Sequence, residues 1–239
     1  MAASVTRLDR RADSKAAGGF YTVRDACRLL GIGQPTKVVG WMQGHRNSLA
    51  PPIMKRTYIP IAGAQELSFL DLIETRFVEH FRRQGVTLQS LRKAAQTLRE
   101  LLGQDHPFAT SNVKFMTDRQ EVFVRAANEE RDTVLLNLVT KQYEMYAVLE
   151  EVLARGLAFH PSSGIALEWH PKPKEFPSVL LNPKISFGQP IIMPHKVPTE
   201  AIFNSWKAED GSYQAVAEWF DVAESAAREA VEFELSLPN

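Results

Sequence analysis

Apolar residues recur at helical spacing along much of the chain. The first set is Val23, Ala26, Cys27 and Leu30, which follow the i, i+3, i+4, i+7 rule behind a capping residue, Thr22. Gly31 ends that helix and Pro35 suits the first turn of a second, which Val38, Val39, Trp41 and Met42 carry to Gly44. The pair has helix-turn-helix proportions. Ahead of it, residues 1–20 mix Ala, Ser, Arg and Asp without periodicity, the pattern of a flexible basic tail. Behind it, Pro51-Pro52 starts an extended stretch in which Ile53, Lys55, Tyr58 and Ile59 predict a small β-wing.

Two sizeable helices follow. Ser68 caps one whose inner face is Leu70, Ile73, Phe77 and Phe81 and which stops at Gly85. Thr87 caps the next, with Leu88, Leu91, Ala95, Leu98 and Leu102 on one side and Gly103 at its end. Alternation around Asp118-Arg119 predicts a β-hairpin over Lys114–Val124, then a third long helix over about Val134–Ala154. A second hairpin is expected from Leu157-Ala158-Phe159 and Ile165 to Trp169 across Ser162-Ser163-Gly164. Prolines crowd the stretch from Pro161 to Pro177 and mark a boundary. Beyond it come a strand, Val179-Leu180-Leu181, a loop with Asn182-Pro183 and Gly188-Gln189-Pro190, and three short helices that start at Thr199, Ser212 and about Ala223. The pattern therefore predicts a mainly α protein with small β-hairpins (α+β). Its parts are a tail (1–20), a DNA-binding head (21–66), a helical middle region (67–175) and a compact helix-turn-helix-like C-terminal domain (176–239).

Charge changes this picture, because a formal net charge of zero conceals sorting along the chain. Residues 1–56 carry ten Lys and Arg against three Asp, a net of +7, while residues 199–239 carry nine acids against two bases, a net of −7. A basic head that coincides with a helix pair points to nucleic acid, and an acidic end to a different partner. Thr36, Lys37, Gln43, His45 and Arg46, on the second helix and just after it, are of the types that reach phosphates and base edges, and Lys55 and Arg56 extend the contact from the wing.

Other chemistry finds little support in the residues. The single cysteine, Cys27, lies on an apolar face, and it rules out an internal disulfide and fits a reducing compartment. Trp41 shares the apolar side of its helix with Val38 and belongs to the core rather than to base stacking. The stretch Gly31 to Lys37 lacks the Gly-Lys-Ser/Thr order of a phosphate loop. The histidines at 45, 80, 106, 160, 170 and 195 form no metal-ligand spacing, and no Gly-x-Ser-x-Gly elbow is present. No apolar run approaches the ~20 residues that span a bilayer. We therefore expect a cytoplasmic protein that is not an enzyme, with no cofactor and no metal.

Three stretches together resemble the bacterial VapB-type antitoxins that join a MerR-like head to a C-terminal antitoxin domain. Tyr21-Thr22-Val23-Arg24-Asp25-Ala26-Cys27-Arg28-Leu29-Leu30-Gly31 with Val39-Gly40-Trp41 is similar to the head. Leu67 to Glu74, Gly85 to Gln89 and His106 to Thr110 are similar to the connecting region. Asn182-Pro183, Phe187 to Ile192, Val197-Pro198-Thr199, Gly211-Ser212, Ala217 to Phe220 and Ala227 to Phe233 are similar to the C-terminal domain. There Asn182 stands where Asp is commoner, and Pro194-His195-Lys196 replaces a typical Gly-Thr-Arg.

The resemblance implies a PIN-domain ribonuclease toxin with an acidic, magnesium-dependent site as partner. It also implies that the protein silences that toxin and binds operator DNA to repress its own operon. Either a base such as Arg155, Lys172, Lys174, Lys184, Lys196 or Arg228 covers the toxin's carboxylates, or the acidic domain binds away from them. Two-fold operators and the apolar surface of the Ser68–Leu102 helices predict a homodimer. The alternative reading is a MerR-like transcription regulator without a toxin, whose C-terminal domain senses a ligand or dimerises.

Overall fold

Thr22 starts the first helix as its side chain permits. Its hydroxyl accepts from the Asp25 amide at 3.1 Å, and the Asp25 carboxylate accepts from the Thr22 amide at 2.9 Å. This helix, α1 (Val23–Leu30), stops at Gly31, whose φ of 64° is left-handed, and α2 (Pro35–Gln43) begins with Pro35 at its first position. The structure is a computed structural model, and it describes residues 18–44, 50–60, 64–110, 115–140 and 155–238. The fold is α+β and mostly α, with a two-stranded and a five-stranded antiparallel sheet.

Strands β1 (Tyr21–Thr22) and β2 (Glu66–Leu67) pair directly before α1 and before α3 (Phe69–Arg83), so they bring the two helix starts together. Ser68 caps α3 by the same reciprocal arrangement with Asp71, Thr87 caps α4 (Leu88–Leu102), and Gly103 ends α4 with φ 63°. The expected wing does not form as a strand. Within residues 50–60 Ile53 and Met54 are buried, and their amides donate to the Trp41 carbonyl at 2.9 and 3.3 Å instead of to a partner strand. Pro51, Pro52 and Pro60 remove the donors that a ladder requires.

From Phe115 onward the hairpin expected over Lys114–Val124 is instead helical, because α5 runs from Phe115 to Glu129, and Lys114 lies outside the described residues. Val122, Phe123, Ala126 and Ala127 are buried while Glu121 and Arg125 are exposed, a period of 3.6 rather than 2. Phe123 joins Phe77, Phe81 and Phe108 in a stack in which Phe77 and Phe108 lie 4.1 Å apart and Phe81 and Phe123 5.7 Å. Phe108 comes from a 3-10 turn, Pro107–Ala109. Helix α6 (Thr133–Thr140) covers the described start of the third expected helix, and residues 141–154 of that expectation lie outside the described residues.

The second hairpin forms as β3 (Leu157–Phe159) and β4 (Ala166–Trp169). Its sheet continues through β5 (Val179–Leu181), β6 (Pro190–Ile192) and β7 (Val197–Pro198), and Trp169 pairs with Leu181 across the proline-rich stretch. Asn182, found where Asp is commoner in the resembled family, donates its amide to Glu168 Oε1 at 3.1 Å, a bond that a carboxylate cannot make. Helices α7 (Thr199–Ala208), α8 (Tyr213–Phe220) and α9 (Glu224–Leu235) close the chain over a second core of Val179, Ile192, Ile202, Val216, Val231 and Phe233. Leu29 of α1 packs against both cores. No helix among the described residues is long and apolar enough to cross a membrane.

Candidate nucleic-acid interface

The head turns one helix face outward. On α2, Val38, Trp41 and Met42 are buried at 3% exposure or less, while Thr36, Lys37 and Gln43 are exposed. Trp41 and Cys27 are thus core residues. Burial, and after it the neighbouring Glu79 carboxylate, raises the Cys27 thiol above its ordinary value, the opposite of what a nucleophile needs.

The start of α2 carries no side-chain cap. Gln34 precedes it without a capping bond, and Pro35, Thr36 and Lys37 are exposed. Pro35 has no amide proton and the Lys37 amide donates to the Gln34 carbonyl at 3.0 Å, so the Lys37 ammonium, at the positive end of the helix dipole, is what this turn presents to solvent. The turn before it is fixed from outside: Ile32 is buried, and Arg83 of α3 donates to the Gly31 carbonyl at 2.9 Å. At its other end Arg92 and Arg99 of α4 donate to the carbonyls of Pro51 and Ile53, the segment that also bonds Trp41.

The residues expected to touch DNA do not all share one environment. Lys55 is exposed, but its ammonium lies 2.7 Å from Asp105, and Arg56 is half-buried and donates to Gln65 at 2.8 Å. Arg56, and the Asp105 that holds Lys55, line a cavity of about 240 Å³ with Thr57, Gln104, His106 and Thr110. His45 and Arg46 lie outside the described residues.

Near that cavity is a polar cluster that the linear sequence did not disclose. Asp71 and Glu74 on α3 are buried, and His106 Nδ1 stands 3.6 and 3.4 Å from their carboxylates. His106 Nε2 lies 3.1 Å from the Thr57 hydroxyl, which ties the segment after α2 to this cluster. Burial alone lowers the imidazole value, but Glu74, Asp71 and Asp105 outweigh it and raise the net value.

A second undisclosed feature joins the head to the last helix. Arg28 of α1 places Nη1 2.8 Å from Glu234 Oε2 on α9, and its Nη2 donates to the Glu234 carbonyl at 3.3 Å. Thr199, which starts α7, bonds Glu234 rather than capping its own helix. Beside them Tyr21 donates to the Gly188 carbonyl at 2.6 Å, and a side chain on Gly188, whose φ is 82°, would run into the Tyr21 ring. Only an alignment in space reveals these contacts, because Arg28 and Glu234 are 206 residues apart.

The bases considered for covering a toxin also divide. Lys172 is bound to Ser236 at 2.8 Å and Arg228 to Glu224 at 3.0 Å, whereas Lys174, Lys184 and Lys196 are exposed.

No protein-family model matches the chain. Over 228 residues it is 25% identical to a Mycobacterium tuberculosis protein named "Putative antitoxin VapB45", an alignment that covers 89% of this chain and 92% of that protein. The likeness to that protein thus runs over most of the chain. Its fold is similar to the crystal structure of Rv2018 from Mycobacterium tuberculosis, with a TM-score of 0.64 and 22% identity over 88% of this chain and 96% of that one.

Proposed function

We propose that the protein is the antitoxin of a type II toxin–antitoxin pair, which neutralises a PIN-domain ribonuclease and represses its own operon by binding operator DNA. The observation that carries this reading is the likeness to an antitoxin-named protein along nearly the whole chain, which includes the head, the middle and the acidic end. The DNA half is supported by the exposed Thr36, Lys37 and Gln43 on a helix whose other face is core, beside an uncapped helix start. In this reading α1 and α2 form a MerR-like helix-turn-helix, α2 enters the major groove, and Lys55, Arg56, His45 and Arg46 add phosphate contacts. The functional bounds are 21–66 for DNA, 67–175 for the connecting region and 176–239 for the toxin. Two copies bind a two-fold operator.

Co-expression with the product of the adjacent reading frame tests it. The two proteins should co-purify, the pair should lack ribonuclease activity, and DNA upstream of the operon should bind the complex. A neighbouring product that neither co-purifies nor harms cells when expressed alone would remove the toxin half.

A second reading, a MerR-like regulator without a toxin, is favoured by one observation. A cavity of about 170 Å³ lies between head and tail, lined by Phe20, Asp25, Arg28, Glu200 and Glu234 among others, and such a place suits an effector. DNA binding that responds to a small molecule, with no protein partner, would select it.

A further inference from the structure

Helix α8 buries Val216 and Ala217 in the second core, yet Trp219 on the same helix is 78% exposed. Trp206 shows how this fold treats an indole with an internal role: it stacks between Phe203 and Tyr213, with ring centroids at 6.1 and 5.7 Å. Trp219 instead stands between two exposed acids, Glu218 before it and Asp221 at the left-handed end of the helix. The two bases of this segment are engaged elsewhere, since Lys207 lies over the Phe203 ring and Arg228 pairs with Glu224 over the Tyr213 ring. Along the chain the exposed indole is therefore flanked by two exposed carboxylates, one of which, Glu218, accepts from Gln214 at 3.1 Å.

We propose that Trp219, rimmed by Glu218 and Asp221, anchors the acidic end of the chain in an apolar recess on a basic face of the partner protein. Charge decides the occupant. Nucleic acid and anionic lipid share the sign of the rim, and a second copy of the same face would set the carboxylates against one another. A basic protein surface with room for an indole is complementary in both respects, and a buried tryptophan inside a polar rim is the usual form of a binding hot spot. This inference rests on the antitoxin reading and sharpens it. The toxin is gripped on a basic face, away from a carboxylate-lined metal pocket that would repel Glu218 and Asp221.

The test uses the full chain and the co-expressed product of the adjacent reading frame, with affinity and association rate measured at several salt concentrations. Trp219→Ala should weaken binding about 30-fold or more, while operator affinity and urea midpoint stay as in the wild type. Glu218→Lys with Asp221→Asn should slow association about tenfold and flatten its salt dependence. A wild-type chain that binds the neighbouring protein, with Trp219→Ala binding equally well, overturns the inference and leaves the antitoxin reading standing. A wild-type chain with no affinity for that protein overturns both. Self-association of the chain alone that disappears in Trp219→Ala would assign the face to a second copy and overturn the proposal as well.

Discussion

Arg28 and Glu234 meet at 2.8 Å across the junction between the head and the last helix, with side chains 30% and 2% exposed. The asymmetry matters more than the distance. Glu234 is the deeply buried member, so loss of Arg28 leaves a carboxylate without its counter-charge in a place water hardly reaches. Arg28→Met should destabilise the protein by about 3 kcal/mol, and Glu234→Gln added to it should recover part of that loss. Urea unfolding of the two single variants and the double variant measures the coupling. Additive losses would mean that head and tail are not joined through this pair.

His106 supplies a pH dependence of stability. Its imidazole faces Glu74, Asp71 and Asp105, which together raise its value despite burial. A group whose folded value is raised stabilises the fold fully below its unfolded value of about 6.5, and that contribution fades as pH rises through the folded value. Unfolding free energy should therefore fall from about pH 6.5 upward, and the slope should largely vanish in His106→Gln. A wild-type stability that rises over the same range would contradict the arrangement.

Helix starts and stops were the most readable part of the chain. Thr22, Ser68, Thr87 and Ser212 cap the helices that their positions predicted, and Gly31 and Gly103 end theirs, because capping is settled within three or four residues. The stretch ending at Val124 misleads for a related reason. Val122-Phe123-Val124 has strand-like composition, and the period that makes it helical is complete only at Ala126 and Ala127, beyond the window that suggested a hairpin. Ile53 and Lys55 carry a wing-like pattern, yet the Trp41 carbonyl holds that segment in another shape. As for the site, the outward face of α2 was legible from its periodicity. The neutralisation of Lys55 by Asp105, and the ties of His106 and Arg28, were not, because each depends on a residue tens to hundreds of positions away.

Asp132 makes a prediction about the helical middle. It is 5% exposed and accepts from the Leu135 amide at 3.0 Å, at the start of α6, and from the Thr87 amide at 2.9 Å and the Ser90 hydroxyl at 2.8 Å, at the start of α4. One carboxylate thus serves two helix N-termini, and these bonds outweigh burial and hold it below its ordinary value. Asp132→Ala should cost about 2 to 3 kcal/mol in urea unfolding. A lowered value gives stability that is present above the unfolded value of about 3.9 and is lost as pH falls through the folded one, so Asp132→Asn should blunt the acid limb of the stability profile. An unchanged acid limb in that variant would show that the carboxylate is not a shared cap.

The salt dependence of operator binding separates the lysines of the head. Each phosphate neutralised by a lysine releases condensed counterions, so log affinity falls with log salt by close to one unit of slope per contact. Lys37 is exposed on the outward turn of α2, and Lys37→Ala should lower that slope by about 1 and weaken binding alike on operator and unrelated DNA. Lys55 is exposed too, but its charge is already matched by Asp105 at 2.7 Å, so Lys55→Ala should change the slope less. Asp105→Asn frees that ammonium and should steepen the slope, an increase that Lys55→Ala then removes. Fluorescence anisotropy between 50 and 300 mM salt, on the order of the range in which such slopes are resolved, reads all four variants. Equal slopes for wild type and Lys37→Ala would place the nucleic-acid face somewhere other than α2.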